Sequence, residues 1–325
     1  MQTGYTLQSI AGCYGYMFNR FMQSGQIAEL TREWNYMMKD SQNHDLFTKP
    51  DLRRTLQAFL DEDLGRGDIT GAAIFSPDLT GSAVFVAKEK MILAGVEPLV
   101  PLVFQILNPA IVCRPTADGH PAEPGEIILE VHGPLRDLLA GERLALNLCQ
   151  RLSGIATLTA EFVKAVGELP ARIMDTRKTT PGLRALERYA VRVGGGTNHR
   201  FNLNDGILIK DNHIAAAGSI QQAVDKVREY NGTAMAVEVE CENLTQVELA
   251  LDAGVDIIML DNMSPDLMGR AVNLVRGRAV VEASGGVNLG NVREIAACGV
   301  DRISIGALTH SAPAKDISME IVSRQ

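Results

Sequence analysis

Beyond about residue 170 the chain alternates short apolar runs with longer amphipathic stretches, and no other feature narrows its fold as far. The runs are ARIMDT, GILIKD, AMAVEVEC, DIIMLDN, AVVEASGG and DRISIGA. Between them lie helix candidates such as SIQQAVDKVREYNG, NLTQVELALDAG, SPDLMGRAVNLVRG and NLGNVREIAACG, which open on Ser or Asn and close on Gly. Those are the residue types that cap helix starts and ends. A helical crossover returns the chain to the end where the previous strand began, so such strands pair in parallel, in an open sheet or a barrel. No GxGxxG follows the first strand, which disfavours a dinucleotide-binding sheet. The repeat spacing fits an α/β barrel of six or seven strands, incomplete relative to eight.

The preceding part has a different texture. LRRTLQAFLDEDL carries apolar residues at helical spacing and ends in the turn-like GRGDIT. SAVFVAKE, AIVCRP and EIILEV read as strands, with a helix around PLVPLVFQIL, and a long helix is expected from about Leu135 to Val166. This suggests an N-terminal α/β sandwich over 49–145 and a barrel over 146–325, whose last helix packs back on the N-terminal domain. Residues 1–48 hold the only tryptophan, Trp34, and no clean period. They read as a mobile extension or an early start, with an interaction arm as the alternative, and a helix is possible from about Ile27 to Lys39.

Composition limits the chemistry. A net charge of −8 argues against a protein that coats nucleic acid. Any anion must therefore be drawn by a local site. Five cysteines, widely spaced and without a CxxC pair, fit reduced thiols in a cytoplasm better than a disulfide framework or a zinc site. No apolar run reaches the roughly 18 residues of a membrane span.

The strand ends are where that local site is expected. They carry Asp175 to Lys178, Lys210 to His213, Glu238 and Glu240, Asp261 and Asn262, Glu282 to Ser284, and Gly306 with Ala307. In a parallel barrel these ends share one mouth, the face where catalysis occurs. From Arg172 to His213 eight basic side chains stand against four acidic ones. Arg184 and Arg188 are expected to pair with solvent or Glu187. Arg177, Lys178, His199, Arg200 and Lys210 fall at strand ends or near the Gly194–Gly195–Gly196 loop, whose glycines would let backbone approach a ligand. Glu240 and Asp261 supply the opposite sign. The pattern suggests a carboxylate- or phosphate-rich substrate beside a metal-bridged polyphosphate. Ser284, Gly285, Gly286, Gly306 and Ala307 close the last two strands, where barrels often cradle a phosphate with backbone amides.

DTRKTTPGLRALERYAVRVGGGTNHR followed by DGILIKDNHI resembles the core signature of quinolinate phosphoribosyltransferases, supported by EDLGRGDIT, GERLALNLCQRLSGIAT, VEVE, MLDN, EASGG and GALTH. The similarity runs from about residue 49 to near the C-terminus. It implies a homodimeric, Mg²⁺-dependent enzyme that converts quinolinate and phosphoribosyl pyrophosphate to nicotinate mononucleotide, pyrophosphate and CO2. The resemblance further implies that Arg177, His199, Arg200 and Lys210 contact quinolinate, and that Arg143 is donated across the dimer interface. Lys178, Glu240 and Asp261 would surround ribose, pyrophosphate and metal, with Ser284, Gly285, Gly286, Gly306 and Ala307 at the 5′-phosphate. The first 48 residues match nothing in that pattern, and Gly71 stands where the family often has a second threonine.

Two other readings are compatible with the residues alone. Lys210 at the end of ILIK sits where a Schiff-base aldolase would place its nucleophile. A non-enzymatic sensor of phosphoribosyl or pyridine-dicarboxylate ligands would use the same basic mouth.

Overall fold

The computed structural model of the chain describes residues 46–48, 50–232 and 235–324. A 3₁₀ turn covers 46–48; the rest of the N-terminal extension, including the helix suggested over 27–39, lies outside the described residues.

Helix α1 (Pro50–Leu64) buries Leu56 and Leu60 completely, four residues apart and so on one face. The short α2 (Ile69–Ile74) begins at Asp68, whose carboxylate accepts the Gly71 N–H at 3.0 Å. Then come β1 (Thr80–Ala87), β2 (Met91–Ile92), α3 (Val100–Leu107), β3 (Val112–Pro115), β4 (Pro121–Ala122), β5 (Ile127–Pro134) and α4 (Leu135–Val166). Strands β1, β3 and β5 share an antiparallel sheet. Phe85 of β1 meets Phe104 of α3 edge to face, with centroids 6.2 Å apart. Burying two such rings against the helices is what gives this small sheet a core of its own.

The second half supplies β6 (Arg172–Met174), α5 (Arg184–Val193), β7 (Ile207–Ile209), α6 (Asp211–Ala217), α7 (Ile220–Asn231), β8 (Val237–Cys241) and α8 (Leu244–Asp252). It continues with β9 (Ile257–Asp261), α9 (Pro265–Val275), β10 (Val280–Ser284), α10 (Val292–Ala297), β11 (Arg302–Ser304) and α11 (Ala307–His310). All six strands are parallel, in the order β6-β11-β10-β9-β8-β7. The first strand of the series thus pairs with the last, as happens when a βα sheet curls into a barrel, and only the β6–β7 junction stays unpaired. Thr197 fills part of that gap through an isolated parallel bridge to Met174. The incomplete six- or seven-stranded barrel expected from the spacing is therefore present as six strands and one bridge.

Ser219, Asn243 and Ser264 cap α7, α8 and α9, their side chains accepting backbone N–H groups of the first turn. α10 departs from the expectation: its N-cap is Asn291, without a side-chain cap bond.

Two differences from the sequence reading concern the ends of the domains. The boundary placed at 145/146 falls inside α4, one 32-residue helix. The last element is not a helix but a strand, β12 (Ile317–Arg324), which pairs antiparallel with β1 from Ala87↔Ile317 to Gly81↔Arg324 and completes a sheet of order β12-β1-β5-β3. Its opening residues, ISMEI, alternate apolar and polar as a strand does, and Ile317 is buried.

Candidate active site

The loop between β6 and α5 begins with Asp175, which is fully buried. One carboxylate oxygen accepts the His199 backbone N–H at 2.7 Å and the other the Asn198 side-chain amide at 2.5 Å. Arg188, itself buried, lies 3.6 Å from Asp175 and donates to the His199 carbonyl. Burial pushes the Asp175 carboxyl up to about 6, against the pull of Arg188 and these hydrogen bonds. Arg188 is therefore not solvated, as the sequence suggested. It ties the end of β6 to the segment that fills the barrel gap. Arg184 likewise bonds Thr179 Oγ1 and the Phe201 carbonyl, and Glu187 is held by Arg151 instead of either neighbour.

The glycine run serves a different purpose from the one expected. A Cβ at Gly194 would lie 2.3 Å from the Ala156 carbonyl oxygen, and one at Gly196 would lie 2.8 Å from both Thr159 and Val191 side chains. These glycines let the loop close onto α4, not onto a ligand.

Arg177 and Arg200 come together at the mouth. The Nε atoms of both are buried and have no hydrogen-bond partner. Arg200 spends Nη1 on the Gly206 carbonyl at 2.8 Å. Burial and then the neighbouring Arg177 hold the Arg200 guanidinium below its ordinary range. Two desolvated cations side by side are unfavourable unless an anion joins them.

His199 takes a place beneath this pair. Its Nε2 lies 3.3 Å from Glu238 and 3.4 Å from Glu282, and Nδ1 accepts the Arg200 backbone N–H at 2.8 Å. Both ring nitrogens are thus engaged within the protein. Burial alone would lower its pKa, but the two carboxylates hold the imidazole up to about 10. Burial and then Glu282 raise Glu238, whereas Glu282, also desolvated, is brought down by His199 and Ser304. Ser304 Oγ donates to Glu282, and the charge of Arg302 acts on both acids. With Arg302 counted, the cluster is neutral when it holds one proton more than two carboxylates and a neutral imidazole. His199, Glu238 and Glu282 are also spaced as three metal ligands could be. Mg²⁺, however, favours oxygen donors and retains water, and these residues are buried beside a cation of their own.

At the rim, Lys210 Nζ and Glu240 form an ion pair, reaching from the end of β7 to β8. Asp261 ends β9, with one oxygen accepting from Asn262 Nδ2 at 2.7 Å. The second oxygen of each carboxylate lies outside those bonds. Two hard donors on neighbouring strands at the mouth fit a magnesium ion carried by a polyphosphate.

Asn262, in the left-handed region at φ 53°, donates its N–H to the Ser284 carbonyl at 2.9 Å. Gly285 packs so closely on it that a Cβ would lie 2.2 Å from Asn262 Oδ1, and its φ of 90° excludes most side chains. Gly286 follows, exposed. On the next strand, a Cβ on Gly306 would sit 3.0 Å from His310 Nε2 and 3.1 Å from Lys178 Cδ, so Lys178, Gly306 and His310 converge, with Ala307 next in the chain. Arg143 is exposed on α4, 3.8 Å from Glu142.

The barrel end is thus a basic mouth with a guanidinium pair, a carboxylate edge and a glycine-lined wall. The sequence profile of the quinolinate phosphoribosyl transferase N-terminal domain matches residues 68–153, and that of the C-terminal domain matches 155–320. The chain belongs to the quinolinate phosphoribosyltransferase family. It is 46% identical over 271 residues to a probable nicotinate-nucleotide pyrophosphorylase (carboxylating) of Bacillus subtilis, covering 83% of this chain and 93% of the relative. A protein of the same name from Synechocystis is also 46% identical over 271 residues, 82% of this chain and 91% of that protein. The crystal structure of NadC from Streptococcus pyogenes superimposes with a TM-score of 0.80 at 44% identity, covering 83% of this chain and 96% of that one.

In this quinolinate phosphoribosyltransferase family member Arg177, Lys178, Lys210, Glu240 and Asp261 lie at or just beyond strand ends, as expected, and Arg200 follows the glycine loop and the bridge at Thr197. It noted Glu238 and Glu282 but missed their layer. Alternation was the available signal: Glu238 and Glu240 share one face of β8, Glu282 and Ser284 one face of β10, so the inner member of each pair lies below the mouth.

Proposed function

We propose that this chain transfers the phosphoribosyl group of phosphoribosyl pyrophosphate to quinolinate with loss of CO2, giving nicotinate mononucleotide and pyrophosphate in de novo NAD biosynthesis. The observation that carries this reading is the Arg177–Arg200 pair, whose buried Nε donors have no partner. Quinolinate bears two adjacent carboxylates, and two guanidinium forks match that spacing and charge with paired hydrogen bonds. Holding the ring there leaves its nitrogen directed at C1 of the ribose. The nitrogen forms a bond to C1 as the C1–oxygen bond to pyrophosphate breaks, through a transition state with positive ribose character. Glu240 and Asp261 favour that charge electrostatically. The new pyridinium nitrogen then stabilises the electron pair left at C2 as CO2 departs, and that pair takes up one proton. His199, with both ring nitrogens already bonded, acts in this scheme by supporting Arg200 and not as that proton's donor.

Magnesium, held by Glu240 and Asp261 together with pyrophosphate oxygens, would neutralise charge on the leaving group. Lys178, beside Gly306, reaches toward the phosphoribosyl donor. Ser284, Gly285, Gly286, Gly306 and Ala307 line the 5′-phosphate end. Arg143, exposed on α4, would complete the partner's site in a homodimer or higher homo-oligomer. The free cysteines among the described residues, Cys113, Cys149, Cys241 and Cys298, suit a cytoplasmic setting, and no described helix is long and apolar enough to cross a membrane.

Lys210 is engaged by Glu240 and does not lie in an apolar pocket, as a Schiff-base lysine would, which speaks against an aldolase. The test is nicotinate mononucleotide formation with quinolinate and with nicotinate as alternative acceptors. Quinolinate alone should react, with pyrophosphate release requiring Mg²⁺. Equal turnover of nicotinate would overturn the reading.

A further inference from the structure

Arg151 of α4 stands apart from every residue assigned above, yet three separate segments converge on it. Its Nε donates to Glu187 of α5 at 2.8 Å. Its Nη2 bonds Thr180 Oγ1 at 2.7 Å and the Thr309 carbonyl at 2.9 Å. Glu187 is wholly buried, and its other oxygen accepts the Thr180 backbone N–H at 3.1 Å. Thr309 in turn donates Oγ1 to the Lys178 carbonyl at 2.8 Å. The stretch from Lys178 to Thr180 is therefore gripped on both sides, immediately after Arg177.

The chemistry of the pair favours this use. A buried carboxylate is costly unless paired and fully hydrogen-bonded, so Glu187 fixes Arg151 in one place. A planar guanidinium serves several acceptors in a set geometry, which an ammonium cannot do. The loop's other bonds near its tip come from close in sequence: Thr179 N–H bonds the Arg177 carbonyl at 2.9 Å, Lys178 N–H bonds Thr176 Oγ1 at 3.1 Å, Leu183 N–H bonds the Thr180 carbonyl at 3.0 Å and Arg184 Nε bonds Thr179 Oγ1 at 2.9 Å.

We propose that Arg151 and Glu187 are positioning residues for phosphoribosyl transfer, setting through Thr180 and Thr309 where Arg177 and Lys178 stand. This rests on the reading of the mouth given above. Arg177 must meet a carboxylate while Lys178 faces the donor, so a small shift of the shared backbone displaces both contacts together. Misplacement by about 1 Å costs on the order of a hundredfold in rate in enzymes of this kind.

The test uses the full chain and three variants: Arg151→Lys, Thr309→Val and Thr309→Ser. Arg151→Lys keeps the charge beside Glu187 and loses the fork. Thr309→Val keeps the volume and loses the donor to Lys178, whereas Thr309→Ser keeps the donor. Two readouts are taken, steady-state turnover of quinolinate and the rate of tryptic cleavage after Arg177 and Lys178, with melting temperatures alongside. Arg151→Lys and Thr309→Val should each lower kcat/KM about tenfold or more, with KM rising for both substrates. They should also speed cleavage at the loop with little change in melting temperature, and Thr309→Ser should match the parent in both readouts. Unchanged cleavage and unchanged kcat/KM in Thr309→Val and Arg151→Lys would overturn the proposal, as would a Thr309→Ser variant as impaired as Thr309→Val. If the parent chain itself fails to turn over quinolinate, the proposed function falls, and the cleavage rates still decide whether the clamp exists.

Discussion

Two charged clusters sit one above the other at the barrel's mouth. In the upper one, Arg177 and Arg200 bring like charges together, partly desolvated, each with an unpartnered Nε. In the lower one, His199, Glu238, Glu282, Ser304 and Arg302 alternate sign, and the cluster neutralises itself. The upper cluster is incomplete without an anion and the lower is complete without one. The contrast separates residues that bind from residues that hold the binders in place, a distinction that burial alone would miss because both clusters are largely hidden. His199 joins them, since its ring bonds the acids below and the backbone of Arg200 above.

The comparison breaks most visibly at Arg177. Replacing it with Ala should reduce kcat/KM for quinolinate by about a thousandfold, near 4 kcal/mol of transition-state stabilisation. The melting temperature should hold or rise, because a like-charge contact with Arg200 is relieved. A variant that keeps most of its turnover, or that melts much lower, would place Arg177 among the structural residues instead.

Glu282→Ala should do the reverse. It strips one carboxylate from a buried cluster and leaves His199 and Arg302 undercompensated, which costs about 3 kcal/mol of stability. Chemical denaturation measures this directly. A loss below about 1 kcal/mol would mean that the lower cluster is not the self-contained unit described above.

How much of this the sequence disclosed follows the same division. Strand ends, helix caps and the parallel series depend on local residue choice, so they could be read from the chain. Arg177 and Arg200 could be placed at the mouth for the same reason. The partners of Arg188, Arg151 and Glu187 could not, because they lie on other elements that only packing brings together, Thr309 being 158 residues from Arg151. The glycine run misled because close approach is all that Gly194 and Gly196 demonstrate in a sequence, and what they approach is α4. β12 was hidden by its position: a strand after the last barrel helix has no local reason to return to β1.

The finest discrimination between the clusters comes from pH. The lower cluster binds an extra proton because two buried carboxylates face the His199 ring, whose pKa rises to about 10 from an ordinary 6.5. A group whose folded value is raised contributes stability that is fully present below its unfolded value, near 6.5, and lost as pH climbs through about 10. The parent chain should therefore melt progressively lower between about pH 7 and 10. In Glu238→Gln an uncharged amide replaces one of the two carboxylates that raise His199, so the slope over that window should shrink even though the variant is less stable at neutral pH. Arg177→Ala leaves His199, Glu238 and Glu282 in place and should retain the parent's slope. If Glu238→Gln and the parent lose stability in parallel over that window, the extra proton does not reside in the buried cluster.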